Sequence, residues 1–319
     1  MTKSYDKSTA IVVLPAVRGG RLQDAKLRTW LSRSTLRKTS QPREILECVV
    51  SAIGLPYPVD GLAALRLWGQ TSDQPTVWIA AADPIYLEPR LDQICLHALG
   101  GHDVPASHLR TLFDHLQQSL TDSSRFGFIQ IGPYGYLRSN EPMATALSSA
   151  NVVDQQPPND FMPSGTEAAD YRRLIGEVEM SLHDHDVNLK REAEGRHPIN
   201  SLWLWGGGFA PQEQAEPCPP LFADDPMTKG YWHSITGVVD SWPGSIAACL
   251  DASDAGFVAV PAFDADDVEA LQECLRELRE ALHARRLSRL VLFFRDGVEA
   301  DVLRTHAWRF WRRAAPVLN

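Results

Sequence analysis

The sequence predicts an α/β protein: a mostly parallel sheet flanked by helices, with a smaller α/β domain inserted into it. Three observations predict this. Short, β-branched apolar runs such as "AIVVLP" at 10–15 alternate with stretches whose apolar residues recur every three or four positions. The composition, 44% apolar and 22% charged over 319 residues, is that of a globular chain long enough for two domains. A Ser-, Asn-, Pro- and Gln-rich connection at 139–166, centred on "QQPPNDFMPSG", reads as a long irregular segment.

Taken in order, "AIVVLP" is a buried strand closed by a proline. A glycine-bearing loop and a basic helix over roughly 22–38 follow, then a second helix at 43–53. "TVWIAAADPIYL" is a strand that runs out into a loop at Asp83 and Pro84. "QICLHAL" and "FGFIQIG" are strands either side of a helix that starts near Pro105. Its residues Leu109, Leu112, Phe113, Leu116 and Leu120 share one face, and the "IGPYGYLRS" turn completes a compact unit. Tyr171, Leu174, Ile175, Val178 and Leu182 mark a further amphipathic helix, with Thr166 as its cap.

Strands at "SLWLW", "GVVDSW" and "GFVAVPAF" precede the strongest helical pattern, Val268, Leu271, Leu275, Leu278 and Leu282. Asp264 and Asp266 are its capping candidates, and it ends in Arg285 and Arg286. "SRLVLFF" is the last strand, and the C-terminus reads as a Trp- and Arg-bearing helix. The division this gives is a core of 1–82 and 186–319, and an insertion of 83–185 holding a small domain, the connection and a helix.

The formal charge of −9 argues against nucleic acid as a partner, because phosphate contacts demand a basic surface. The basic clusters "RTWLSRSTLRK" and "WRFWRRA" read as solvated helix faces, with a docking patch as the alternative. No apolar run reaches the roughly 20 residues of a membrane span, and the first apolar segment is too short for a signal peptide. The expectation is a cytoplasmic protein with no membrane partner. The five cysteines, Cys48, Cys95, Cys218, Cys249 and Cys274, are scattered and never in a C-x-x-C pair, so they read as small buried apolar residues.

The stretch "DVNLKREAEGRHPINSLWLWGGG", 186–208, carries the candidate site. Leu202 and Leu204 alternate with Trp203 and Trp205, so both faces of the strand are apolar and it belongs in a sheet covered on both sides. Gly206, Gly207 and Gly208 at its end read in two ways. They form a ligand loop with exposed N–H groups, or a tight strand exit against a helix. No helix clearly starts at Gly208, so the run is neither a dinucleotide fingerprint nor a P-loop. Asn188 and Arg191 lie three apart on one side of a helical turn, with Arg196 and Asn200 beyond. Together they would grip phosphate or carboxylate, or else form a hydrogen-bonded linker.

This stretch, with the helix before it, resembles the archaeal-type cofactor-independent phosphoglycerate mutases. Val187, Asn188, Arg191, Gly195, Pro198, Asn200, Trp203, Trp205, Gly206 and Gly208 fit that family's run, while His185 is followed by Asp186 where the family prefers proline. "ITGVVDSWPGSIAACLD" looks like a further family segment and places Val239, Asp240, Gly244 and Ile246. The resemblance covers roughly 85–260. It implies an alkaline-phosphatase-like core with an inserted domain at 91–137. It also implies transfer of a phosphoryl group between the 2- and 3-positions of glycerate phosphate through a serine and two divalent metals. Such a centre needs Asp and His ligands. Where the family has a metal-binding aspartate after its first strand, this chain has Leu14, Pro15 and Ala16; near the C-terminus it offers only Asp296 and His306.

The chain therefore reads as a relative that kept the scaffold and lost the metal centre, similar to bacterial proteins labelled regulatory proteins of the Rpf type. The expected function is non-catalytic binding of a small phosphorylated or anionic ligand, or of a protein partner, in a regulatory role. The expected ligand residues are Asn188, Arg191, Asn200, Trp205, Gly206, Gly207, Gly208 and Asp240, with no catalytic residue, metal or cofactor. The alternative is an active metal-dependent mutase or related phosphotransferase or hydrolase. It would carry manganese or zinc, with His183, His185, Asp186, Asp240 or His233 as ligands. A third reading is an interaction module docking through "WRFWRR".

Overall fold

A computed structural model of the chain describes residues 8–39, 42–100, 103–120, 125–253, 256–263, 267–312 and 315–318, with no side chain described for Glu167. The chain begins with β1 (Thr9–Leu14), α1 (Ala25–Ser32), β2 (Thr35–Lys38) and α2 (Ile45–Ile53). It continues through α3 (Leu62–Thr71), β3 (Trp78–Pro89), β4 (Ile94–Ala98), α4 (Ala106–Ser119), β5 (Phe126–Ile131) and β6 (Tyr134–Ser139). Next come α5 (Ala150–Val153), α6 (Ala169–Leu182), α7 (Asp186–Ala193) and β7 (Ser201–Gly208). The last elements are β8 (Leu221–Ala223), α8 (Pro226–Ser234), β9 (Val239–Asp240), α9 (Ile246–Ala252), β10 (Phe257–Val260), α10 (Val268–His283), β11 (Arg289–Phe294) and β12 (Val298–Leu303). Two compact units result: a flanking unit of Met1–Tyr57 with Gln212–Asn319, and an inserted unit of Pro58–Pro211.

The flanking unit holds a seven-stranded sheet in the order β2-β12-β11-β1-β10-β8-β9. From β11 through β9 every pairing is parallel; β12 and β2 are antiparallel additions at one edge. All six residues of β1 are buried, as a central strand covered on both faces requires. Leu27, Trp30 and Leu31 of α1 and Leu271, Leu275, Leu278 and Leu282 of α10 share one core with Val12, Leu14, Leu290 and Leu292. Asp267 caps α10 by accepting from the Ala270 N–H at 2.9 Å; the expected caps Asp264 and Asp266 lie outside the described residues.

Two expectations change here. The helix read over 22–38 stops at Ser32, because Ser32 and Ser34 turn their hydroxyls back onto the Arg28 and Leu31 carbonyls. Thr35–Lys38 then pairs with β12. The Trp- and Arg-bearing C-terminus holds a 3₁₀ turn at Arg304–Trp308 in place of the expected helix, with 313 and 314 outside the described residues, and a further strand, β12, precedes it. Val298, Ala300 and Val302 are buried while Glu299 and Asp301 are half-exposed, a period of two rather than 3.6.

The inserted unit holds a five-stranded sheet, β4-β3-β6-β5 with β7 on the free side of β3, and every pairing is antiparallel. Strand β3 does not end at Asp83 and Pro84. The Pro84 carbonyl accepts from the Leu99 N–H at 3.2 Å, so its hydrogen-free nitrogen faces the same edge. No strand of the sheet pairs with that edge between the last β6 pairing at Ala81 and the first β4 pairing at Ile85, so no ladder N–H is needed from Pro84. Helices α4 and α6 cover the sheet with the residues the periodicity named, among them Leu112, Phe113, Tyr171 and Val178. Thr166 sits in a 3₁₀ turn and does not cap α6. The 139–166 connection is irregular apart from α5 and a 3₁₀ turn at Pro158–Asp160. The sequence division at 83 and 185 falls inside this unit, because β3 and β7 pair with each other from Ile79↔Gly208 to Ile85↔Ser201.

Candidate functional site

The glycine run is built into the antiparallel sheet, so the rule that ligands sit beyond the carboxyl ends of parallel strands does not apply to it. Between the Ile79↔Gly208 and Ala81↔Trp205 pairings β7 carries an extra residue, and Gly206 adopts φ 61°, the left-handed conformation of a bulge. A Cβ at Gly207 would meet the Trp78 ring and, at 2.9 Å, the Thr145 hydroxyl. One at Gly208 would collide with the Gly61 backbone at the start of α3. The N–H groups of Gly206 and Gly207 already donate to the Ala146 carbonyl and the Thr145 hydroxyl. Of the two readings of this run, close packing accounts for each glycine.

Upstream, α7 places Asn188 and Arg191 on its buried face. Asn188 donates to the Leu182 and Ile199 carbonyls and accepts from the Ile199 N–H, each at 2.8 Å. Asn200 exchanges both its amide groups with the Leu87 backbone at 2.7 and 2.9 Å. Asn188 ties the connection between α7 and β7 to the end of α6, and Asn200 ties it to β3. The chain turns at Gly195, φ 71°, where the Gly195 and Arg196 N–H groups close the helix onto the Glu192 and Arg191 carbonyls.

Arg191 is also tied down. Its Nε donates to the His197 carbonyl at 2.8 Å and one terminal nitrogen donates to the Asp103 carbonyl at 2.9 Å. Yet it lines an open hollow of about 340 Å³ together with Leu99, Asp103, Gly195, Arg196 and His197. Burial first, and then the Arg196 charge, hold its guanidinium below the ordinary arginine value, against Asp103 and Glu194. Arg196 is exposed, and its carboxylate neighbour Glu194 is 3.7 Å away. The same field reaches His108 on α4, whose pKa is lowered by burial and then by Lys190, Arg191 and Arg196. A smaller hollow of about 60 Å³ contains Arg125 and Arg173, but both guanidiniums are paired to Asp170. That smaller hollow is also lined by Glu141 and Glu177, whereas the first has two lining guanidiniums, Arg191 and Arg196, to one lining carboxylate, Asp103.

Trp205 belongs to a buried network that the sequence did not disclose. Its indole N–H donates to Asp83 at 2.6 Å, and the other Asp83 oxygen pairs with Arg66 at 2.8 Å. Arg66 is 5% exposed, donates to the Gly135 carbonyl at 3.0 Å and lies over the rings of Tyr134, Tyr136 and Trp205. A spacing of 17 residues between Arg66 and Asp83 has no periodic signature, so only the folded sheet reveals the pair.

The remaining expected residues do not converge. Asp240 is exposed on β9, the edge strand of the flanking unit, and His233 lies on α8 of that unit. His183 and His185 belong to the inserted unit. His183 is exposed beside Asp184, and His185 caps α7 with its ring edge-on to His115 at 4.8 Å. Asp186 is the first residue of α7. Asp296, after β11, spends one carboxylate oxygen on the Val17 and Arg18 N–H groups at 2.9 and 2.7 Å. His306 accepts from the Leu303 N–H. Burial raises the thiols of Cys249 and Cys274 to about 12 and that of Cys48 to about 11, as expected for inert cysteines. Among the described residues, the metal-ligating side chains that do converge are Glu88, Cys95 and His97.

No family model matches the chain. Part of it is 43% identical over 123 residues to the 2,3-bisphosphoglycerate-independent phosphoglycerate mutase 2 of Methanothermobacter thermautotrophicus, covering 34% of this chain and 29% of the relative. The 2,3-bisphosphoglycerate-independent phosphoglycerate mutase of Methanosarcina acetivorans is 43% identical over 54 residues, 17% of this chain and 14% of the relative. The similarity thus spans less than a third of either relative's length. Among solved structures, the PH0037 protein from Pyrococcus horikoshii aligns with a TM-score of 0.50 and 12% identity over 93% of this chain and 87% of that one, a likeness of fold. The expected α/β class, with its mostly parallel sheet, stands beside a separate antiparallel sheet. No helix among the described residues is long and apolar enough to cross a membrane.

Proposed function

We propose that this phosphoglycerate-mutase-like chain binds a small phosphorylated anion in the hollow at Arg191, Arg196 and His197, without turnover and in a regulatory role. The observation that carries the reading is the pair of guanidiniums at one hollow, one of them fixed by backbone carbonyls and under-compensated by carboxylates. A fixed guanidinium loses little entropy on meeting a phosphate, and planar N–H donors match its oxygens. Asn188 and Asn200 support the reading indirectly, by holding the segment that carries both arginines. Phosphoglycerate is the natural probe, since the similar archaeal proteins are named for it.

Titration of the full chain with 3-phosphoglycerate, followed by calorimetry, tests this. Binding should weaken about 10-fold or more in Arg196→Ala, as the loss of a charge-assisted contact worth about 1.5–3 kcal/mol implies. Equal affinity in the variant removes the site. The second reading, an active metal-dependent mutase, draws on the 43% identity to proteins so named. Interconversion of 2- and 3-phosphoglycerate by protein supplied with manganese or zinc, above a protein-free blank, would establish it in place of the non-catalytic one.

A further inference from the structure

We propose that Glu88, Cys95 and His97 form a zinc-binding site on the β3–β4 hairpin, made of other residues than those of the anion hollow, whose His197 stacks on His97. The register builds the site. Glu88 is directly opposite Cys95, and Tyr86 is opposite His97. Alternate residues of a strand share a face, and so do cross-strand partners, so carboxylate, thiol and imidazole project from the same side of the sheet. Their donor atoms all lie within 4.8 Å of one another.

The donor set selects the ion. One sulfur, one nitrogen and one oxygen suit zinc, which accepts all three, whereas magnesium and calcium prefer oxygen alone. A tetrahedral zinc with bonds of about 2.0–2.3 Å spaces its donors about 3.3–3.8 Å apart. Glu88 and His97 already meet at 2.9 Å and would part slightly, while a pair at the 4.8 Å limit would have to close by about 1 Å. Three protein donors leave the fourth position to water.

The surroundings fit a ligand site. His97 stacks with Tyr86 and His197, each at 5.8 Å between ring centroids, which restrains the imidazole plane. Arg90 also holds the Glu88 carboxylate at 2.9 Å, the kind of outer partner that orients a ligating carboxylate. Cys95 is 1% exposed while Glu88 and His97 are half-buried, so the cation meets the carboxylate and imidazole at the surface and the thiol beneath them. On binding, the Cys95 thiol gives its proton to solvent and His97 ligates as the neutral ring.

Metal-stripped, tag-free full-length protein should take up one equivalent of zinc in calorimetry. Its cobalt-substituted form should show a thiolate-to-metal charge-transfer band in the near ultraviolet. Cys95→Ser should abolish the band and weaken zinc binding at least 10-fold; His97→Gln should weaken it similarly and keep the band. If Cys95→Ser does not fold, His97→Gln and Glu88→Gln, at half-buried positions, carry the test. An absent cobalt band, or unchanged zinc affinity in these variants, overturns the proposal. Arg196→Ala should leave zinc uptake intact, so a failure of the anion site is distinguishable from a failure of this one.

Discussion

The two sheets solve the same problem, burying a central strand on both faces, by opposite means. In the flanking unit β1 is a continuous apolar run, and its neighbours β10 and β11 lie parallel to it beneath α1 and α10. In the inserted unit β3 is central too, yet it carries Asp83 and Pro84, and the charge is answered by Arg66 from α3 and by the Trp205 indole. A parallel sheet tolerates little polarity inside it, whereas the antiparallel one here uses a buried ion pair to join strand, helix and aromatic rings. The candidate anion hollow and the proposed zinc site both belong to the second arrangement.

The sharpest way to break this comparison is to remove the buried pair. Arg66→Ala leaves Asp83 with only its Trp205 partner and should cost about 3–5 kcal/mol in denaturant unfolding. The flanking unit's Arg289–Asp301 pair, with both side chains more than a third exposed, should lose no more than about 1 kcal/mol on Arg289→Ala. Similar losses would show that burial is not what separates the two pairs.

Glycines sharpen the contrast at a smaller scale. Gly208→Ala forces β7 away from the Gly61 backbone and should destabilise by about 1–3 kcal/mol. Gly244→Ala, in open space at φ 92°, meets only the conformational penalty, about 1–2 kcal/mol. The added clash should make the first the costlier change in the same unfolding experiment. Arg196→Ala, on the surface, should stay within about 0.5 kcal/mol of the parent while anion binding falls; a large loss of stability would assign Arg196 to the scaffold.

Protonation touches both units. Burial, as the leading cause, lowers the pKa of His108 and His185 in one and of His233 and His306 in the other below the ordinary 6.5. The unfolded chain therefore takes up protons first. The stability these rings contribute is whole above pH 6.5 and is lost as pH falls through their folded values. The urea midpoint should fall from pH 7 to pH 5, and His185→Gln should flatten that fall; a midpoint that rises toward pH 5 contradicts the burial of these rings.

Much of the fold was legible because it rests on periodicity. β1, α4, α6 and α10 present the faces their apolar spacing announced. What escaped was long-range. β12 alternates with a period of two over only six residues, too short a pattern to stand out between β11 and the Trp- and Arg-bearing C-terminus. Asp83–Pro84 carries the marks of a loop, and only the unpaired stretch between β6 and β4 lets it remain strand. Arg191 and Asn188 share one helical face in the sequence, but their hydrogen bonds in the fold differ. The Asn188 amide groups are consumed by carbonyls and an N–H, whereas Arg191, with more donors, also lines the hollow. Cys95, which reads in the sequence as a small buried apolar residue, gains its neighbours only across a hairpin register that no spacing rule encodes.

The Gly61 N–H donates to the Gly207 carbonyl at 3.3 Å, and Gln74 donates to the Pro211 carbonyl at 2.9 Å, so the inserted unit fastens its own entrance to its own exit. For the strands that must find each other across the insertion, that clasp shortens the tether. A disordered loop of such length would carry a closure entropy that grows with its logarithm, about 0.6 kcal/mol for each doubling. A folded insert with joined ends replaces it by a bridge of a few residues. Early collapse of the antiparallel sheet would therefore bring β1 and β10 within reach and hasten assembly of the parallel one.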